Sequence, residues 1–344
     1  MVKLDMTKKV LITGGAGFIG HQVIKELLQS TNWELLVIDR LSYAGNLNRI
    51  NDVILEVGEE ARSRVHFIYH DLKAPLEGEF FNNFEDLNII LHIGASSHVN
   101  KSVENPSIFV QDNIVGTFNL LEAARKLNEL ELFYYFSTDE VFGPSDNNEK
   151  FHEWDRYNSK NPYAATKAAA EELTIAYNNT YSIPSLISHC CNVYGKRQDF
   201  EKFIPNTINK ILNDEEIIVH TDSNNIPGSR YYIYNEDLAK TIVFLMENYE
   251  KVRSKAFEIQ KKSPPKINIS GESLISNLEV VEIIGRILDK DFNFKLESND
   301  PERPSHDIKY GLKTNLINKL GGNFDTNFEK GIKHTVDWYL NNKF

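Results

Sequence analysis

The stretch Lys9-Val10-Leu11-Ile12-Thr13-Gly14-Gly15-Ala16-Gly17-Phe18-Ile19-Gly20 decides how the chain is read. A short apolar run breaks into glycines and passes directly into helical sequence that ends near Ser30. Gly15, Gly17 and Gly20 fit the G-x-G-x-x-G fingerprint, and Gly14, Gly17 and Gly20 fit its wider-spaced variant. Glycines there permit a tight turn and let backbone N–H groups approach a pyrophosphate, while the helix N-terminus faces the anion. Asp39 ends the next β-branched run, roughly 20 residues on, where an acid bonds the adenosine ribose hydroxyls. Its carboxylate repels a 2′-phosphate, which favours NAD over NADP; Arg40 beside it keeps NADP open. A glycine turn alone only packs a helix on a strand. Strand, glycines, helix, strand and acid in that order point to a dinucleotide held by Gly14, Gly17, Phe18, Ile19, Gly20, Asp39 and Arg40.

Working outward, short apolar runs at Lys9–Thr13, Glu34–Asp39, Val65–His70, Asn88–Ile93, Leu132–Ser137 and Ser185–Cys190 read as strands buried on both faces. Helical patterns over Phe18–Ser30, Ser107–Leu127 and Pro162–Tyr181 lie between them. This alternation predicts an α/β fold with a Rossmann-type, doubly wound parallel sheet and helices on both faces. After Asn192 the rhythm changes. A helix over Asn235–Asn248, a strand at Ala256–Ile259, a helix over Asn277–Leu288, a strand at Phe292–Leu296 and a last helix over Phe328–Leu340 are expected. The reading is a dinucleotide-binding domain over residues 1–191, to which 231–260 returns, and a smaller C-terminal α/β substrate domain over 192–344.

Of 344 residues, 41% are hydrophobic and 25% charged, an ordinary globular composition. The formal net charge of −11 argues against nucleic acid or an anionic membrane as partner. An anionic ligand needs a local basic patch on this background. The only cysteines, Cys190 and Cys191, are adjacent and make no disulfide framework, so a reducing, cytoplasmic setting is expected. No apolar stretch approaches the roughly 20 residues that span a bilayer, and no metal-ligand pattern stands out.

Tyr163 and Lys167 sit at i and i+4 behind Pro162, at the start of a strongly helical segment. They therefore share a face, and an ammonium close to a phenol lowers the phenol pKa, so a phenolate can take a proton from a hydroxyl. Tyr69/Lys73 and Tyr339/Lys343 have the same spacing. Only Tyr163 has a helix starting just before it, downstream of the nucleotide fold. The strand Phe133–Phe136 runs into Ser137-Thr138-Asp139-Glu140-Val141-Phe142-Gly143, which places two acids beside hydroxyls at the carboxyl end of a strand, where open α/β sheets bind ligands.

The chain is identified as a member of the extended short-chain dehydrogenase/reductase family and, within it, resembles the nucleotide-sugar 4,6-dehydratases. The motifs are Gly14–Gly20, Asp39 with Tyr43-Ala44-Gly45-Asn46, Ser137–Gly143, Asn161–Lys167, Glu201–Pro205 and Arg303-Pro304-Ser305-His306-Asp307. The resemblance spans nearly the whole chain, and the Thr-Asp-Glu triplet is its most discriminating part, since related GDP-mannose dehydratases and UDP-glucuronate decarboxylases usually carry Ser in place of the Asp. It implies a nucleoside-diphosphoglucose substrate, dTDP-glucose foremost and UDP-glucose second, and bound NAD that is regenerated in each cycle. Tyr163 would remove the 4-hydroxyl proton during oxidation at C4. Lys167 would hold the nicotinamide ribose, and Thr138 would orient the reacting hydroxyl. Glu140 would take the C5 proton and Asp139 would protonate the departing C6 hydroxyl, so that the product is a 4-keto-6-deoxy sugar. Asp71 and Leu72 would lie near the adenine; Ser97, His98, Asn192, Lys202, Arg230, Arg303 and His306 would serve the substrate. A homodimer is implied, with Ser107–Leu127 and Pro162–Tyr181 pairing as a four-helix interface.

Two departures stand out. Ser96 stands where the family usually has Glu, and Thr221–Gly228 is longer than the usual loop and lacks its glycines. Competing readings are a nucleotide-sugar 4-epimerase, a GDP-mannose 4,6-dehydratase and, from another class, a non-catalytic NAD-binding regulatory protein. An epimerase needs no acid pair for elimination.

Overall fold

The computed structural model describes residues 7–78, 85–145, 149–222, 224–298, 309–324 and 326–342. Seven parallel strands form the main sheet: β1 (Lys9–Thr13), β2 (Glu34–Asp39), β3 (Val65–Tyr69), β4 (Ile89–His92), β5 (Leu132–Thr138), β6 (Ser185–Cys190) and β10 (Lys266–Ile269), in the order β10-β6-β5-β4-β1-β2-β3. Most of these strands are rich in apolar residues because alternate positions feed two cores; β3, at the sheet edge, is half-exposed rather than buried on both faces as expected. Val10 and Ile12 of β1 join Val23, Ile24, Leu27 and Ile242 on one face. Leu11 joins Leu120, Leu121 and Ala170 on the other. Strand order reverses at β1, between β4 and β2, and open sheets bind ligands at that switch point.

Three further strands, β7 (Asn192–Tyr194), β9 (Ser229–Tyr234) and β11 (Leu274–Ser276), form a small mixed sheet, and β8 (Ile217–Thr221) pairs in parallel with β12 (Phe294–Ser298). They share a separate core with helices Phe203–Leu212, Asn277–Leu288 and Phe328–Asn341, centred on Tyr194, Ile208, Val219, Ile284 and Val336. Asn277–Leu288 begins with a reciprocal capping box between Ser276 and Glu279.

Two expected elements differ. Ala256–Ile259 is helical, the last turn of Tyr249–Gln260. Its buried positions, Tyr249, Val252 and Ala256, follow helical spacing, and Phe257 and Ile259 are exposed. The strand lies later, at β10. The expected helix Ser107–Leu127 is built as Pro106–Phe109, a π-helical turn at Val110–Val115 and Gly116–Ala124. π-turns of this kind mark functional sites.

Candidate active site

Two connected cavities follow the carboxyl ends of β1, β2, β4, β5 and β6. The first is lined by the glycine turn, Asp39, Arg40, Asp71, Leu72, Ser96 and Lys167. The second holds Thr138, Asp139, Glu140, His98, Asn192 and Arg230. Phe18, Ile19, Ser97, Tyr163 and Lys202 line both. The structure thus brings together residues that are far apart in sequence. Arg303 and His306 lie outside the described residues.

The dinucleotide end fits its expected occupant. Gly14 has φ +71°, and a Cβ on Gly20 would lie 2.3 Å from the Gly14 carbonyl oxygen, so the turn closes only with glycine. The helix that follows, Gly20–Ser30, has no side-chain cap and no acid in its first turn, leaving its positive end for an anion. Asp39 is fixed by Ala16 N–H (3.1 Å) and Leu41 N–H (2.8 Å). Burial raises its pKa against those two bonds. These are features a pyrophosphate and a ribose diol require.

Tyr163 and Lys167 lie on helix Pro162–Tyr181, both buried. Lys167 Nζ donates to the Phe136 carbonyl at 2.7 Å and lies 4.3 Å from the Tyr135 ring centroid. Burial pushes its pKa down to about 7. The Tyr163 hydroxyl bonds Thr138, and its pKa is raised, first by burial and then by the charges of Glu140 and Asp139. This differs from the expected lowering by Lys167. The Lys167 ammonium faces the β5 backbone, and the charges that act on the phenol are those of Glu140 and Asp139.

The acid pair sits beside the phenol. Thr138 Oγ1 donates to Asp139 Oδ1 at 3.2 Å, and Asn161 Nδ2 donates to Glu140 Oε2 at 2.9 Å. Burial and the Glu140 charge push Asp139 up to about 7, against Thr138 and Arg230. Burial raises Glu140 as well, opposed by Asn161, Arg230 and Lys202. An acid poised to hold a proton next to a second carboxyl whose pKa is also raised is the arrangement that paired acid–base chemistry uses. Arg230 and Lys202 place positive charge in this cavity of a net acidic chain. His98 Nδ1 accepts from Lys101 N–H at 3.4 Å, and Ser97 bonds Tyr43. The altered loop is shaped by Asp222, whose Oδ1 accepts from Asn224 and Ile226 N–H.

Sequence reasoning named Asn161 only as part of a motif. It missed Asp112 and Glu171. Asp112 pairs with Arg40. Glu171, one turn beyond Lys167, is fully buried and bonds Ser137, Tyr157, His189 and Lys266. Successive turns of the helix thereby clamp consecutive residues of β5, Lys167 to Phe136 and Glu171 to Ser137, which leaves Thr138 facing Tyr163.

Residues 10–259 match the model of the NAD dependent epimerase/dehydratase family. The dTDP-glucose 4,6-dehydratase of Neisseria gonorrhoeae is 34% identical to this chain, with 98% of this chain and 96% of that protein covered. The structure is similar to that of the dTDP-glucose 4,6-dehydratase from Streptomyces venezuelae, solved with NAD bound, at a TM-score of 0.82 and 27% identity over 97% of both chains. The UDP-glucose 4-epimerase of Thermus thermophilus has the same fold, with a TM-score of 0.80 and 24% identity over 96% of this chain and 99% of that one.

Proposed function

This chain belongs to the NAD dependent epimerase/dehydratase family, and we propose that it is a nucleoside-diphosphoglucose 4,6-dehydratase acting on dTDP-glucose. Fold alone does not separate dehydration from epimerisation. The observation that carries the reading is the acid pair beside Tyr163, a buried Asp139 pushed up to about 7 and a half-buried Glu140 next to it. Epimerisation at one carbon has no use for two such acids. Relatives that share almost the whole chain, named as dTDP-glucose 4,6-dehydratases, support the same conclusion.

The glycine turn, Asp39, Asp71, Leu72 and the Tyr163–Lys167 face would hold NAD, which when bound would take the hydride from C4 of the sugar and, after water has left, return it to C6. Tyr163, oriented by Thr138, takes the proton of the 4-hydroxyl. A ketone at C4 acidifies the C5–H bond, and Glu140, held by Asn161, removes that proton. Asp139 gives its proton to the C6 oxygen as water leaves. Lys202 and Arg230 neutralise the diphosphate, and Ser97, His98 and Asn192 line the sugar end.

The cofactor belongs to residues 1–191 with 231–260, joined by β10, and the substrate to residues 192–344, a division supported by the separate core around Tyr194 and Val336. Exposed Ile108, Val110, Phe118 and Tyr181 on the two long helical segments support a homodimer through that face. Among the described residues no helix is long and apolar enough to cross a membrane, and both cysteines are free and buried. A cytoplasmic setting agrees with both.

The test is incubation with dTDP-, UDP-, CDP- and GDP-hexoses, followed by product mass. Loss of one water from dTDP-glucose is the expected result. Unchanged mass with a new epimer would replace the dehydratase reading by the epimerase one.

A further inference from the structure

Arg40 follows Asp39 directly, where an arginine can receive the 2′-phosphate of NADP. The structure spends that arginine elsewhere. Its two terminal amino groups donate to the two oxygens of Asp112, at 2.6 and 2.5 Å, and one of them also approaches Asp71 Oδ2 at 3.4 Å. This fork-to-fork pairing fixes the guanidinium in one plane.

Asp112 is itself held in place. It lies on the π-helical turn Val110–Val115, its side chain is 5% exposed, and Ser96 Oγ donates to Oδ2 at 2.6 Å. The neighbouring Asn113 locks the Ser96 backbone from both sides, accepting from its N–H at 2.8 Å and donating to its carbonyl at 3.0 Å. The other nearby cation, Lys73, is engaged as well, 3.2 Å from Asp71 and 3.9 Å from Asp112. Asp39, Arg40, Asp71, Ser96 and Asp112 all line the cavity assigned to the dinucleotide. Three carboxylates against two cations leave this end of it net negative.

We propose that Asp112, seated by Ser96, is a cofactor-selecting residue that holds Arg40 away from a 2′-phosphate and so excludes NADP. The inference rests on the NAD reading above. It assigns the discrimination to two parts: the Asp39 carboxylate repels the phosphate, and Asp112 removes the arginine that could offset that repulsion.

The experiment is displacement of the fluorescent analogue etheno-NAD from the full-length enzyme by NAD and by NADP, read as the ratio of the two dissociation constants. Asp112→Asn keeps the shape and one acceptor but no longer neutralises Arg40. NADP affinity is expected to rise ~10–100-fold, the worth of one released charge-assisted bond, with NAD affinity nearly unchanged. Ser96→Ala, a milder change in case the first variant folds poorly, shifts the ratio in the same direction by a smaller factor. Adding Arg40→Ala to Asp112→Asn abolishes the gain. An unchanged ratio in both single variants, or a gain that survives loss of Arg40, overturns the proposal. Failure of the native enzyme to bind etheno-NAD or NAD would instead sink the cofactor reading on which it rests.

Discussion

Asn161 and Glu140 are joined by a 2.9 Å hydrogen bond from the Asn161 amide nitrogen, while the other end of the same amide caps the helix that carries Tyr163 by accepting from Ala164 N–H at 2.8 Å. One side chain therefore sets both the start of the helix that carries Tyr163 and the position of the carboxylate proposed as C5 base. The amide orientation is fixed, because its oxygen is consumed by the cap and only its nitrogen can face Glu140.

Replacing Asn161 separates the two jobs. Asn161→Ala loses the cap, at ~0.5–2 kcal/mol of stability, and also frees Glu140. Asn161→Asp keeps the cap but sets a like charge against Glu140. The Asn161 bond lowers the Glu140 pKa, so both variants raise it, and the acid limb of the rate profile moves to higher pH. Thermal unfolding and kcat/KM against pH check this. An unmoved acid limb in Asn161→Asp would dissociate Glu140 from that limb.

In the proposed mechanism the alkaline side of the profile belongs to Asp139. It must hold its proton to act as an acid, and its raised pKa of about 7 means the active form is lost as pH climbs through that value. Lys167, pushed down to about 7, loses its charge over the same interval and steepens the fall. The expected profile is a bell, with Glu140 ionising on the acid side. Rates that stay level well above pH 7 would contradict the acid role of a group whose pKa is about 7.

Much of this site was legible because its parts are local. The glycine turn, the acid at the end of β2 and the Tyr163–Lys167 spacing each lie within one strand–helix unit. Most strands of the first half were legible because a strand buried on both faces reads as a largely apolar run; the half-exposed edge strand β3 is the exception. Ala256–Ile259 misled for the same reason: a brief apolar alternation at the end of a helix imitates a strand when the helical spacing from Tyr249 is not weighed. Asp112 and Glu171 were not legible at all. Their partners come from distant elements, Arg40 and Ser96 for one, Ser137, Tyr157, His189 and Lys266 for the other, and no local pattern marks such pairings.

Glu171→Gln tests that buried cluster. Its pKa is lowered to about 2: burial raises it, but the interactions with His189, Lys266 and Ser137 outweigh that. A depressed carboxylate contributes stability above its unfolded pKa and loses it as pH falls through the folded value, so this contribution fades between the ordinary 4.5 and about 2. Removing one partner of a buried pair costs ~3–5 kcal/mol. Urea unfolding should show that loss near neutrality and a smaller one at low pH. Lys266→Met in the same chain should restore part of it. A Glu171→Gln variant as stable as the native enzyme would mean that the cluster contributes nothing.

Tyr163→Phe is expected to abolish turnover while etheno-NAD still binds. The phenyl ring preserves packing against Phe109, whose ring centroid lies 6.4 Å away, and only the hydroxyl that meets Thr138 is lost. Near-native turnover would remove Tyr163 from the chemistry.

The acid pair distinguishes dehydration from every simpler redox reading. If Glu140 is the C5 base, Glu140→Gln keeps size and the Asn161 contact but cannot accept a proton. In deuterated water, little label should enter C5 of the recovered substrate, and no product should form. Asp139→Asn acts one step later. Glu140 still exchanges the C5 proton, but no acid assists the departing C6 oxygen, so deuterium at C5 should outrun product formation. General acid or base assistance is worth ~10²–10⁴-fold, so each loss should be plain in steady-state rates. Glu140 raises the Asp139 pKa by its charge. Glu140→Gln therefore also returns Asp139 toward an ordinary carboxylate, and the two losses need not add. Should both variants dehydrate dTDP-glucose at nearly the native rate, the triplet is only a polar strand end and the dehydratase reading falls with it.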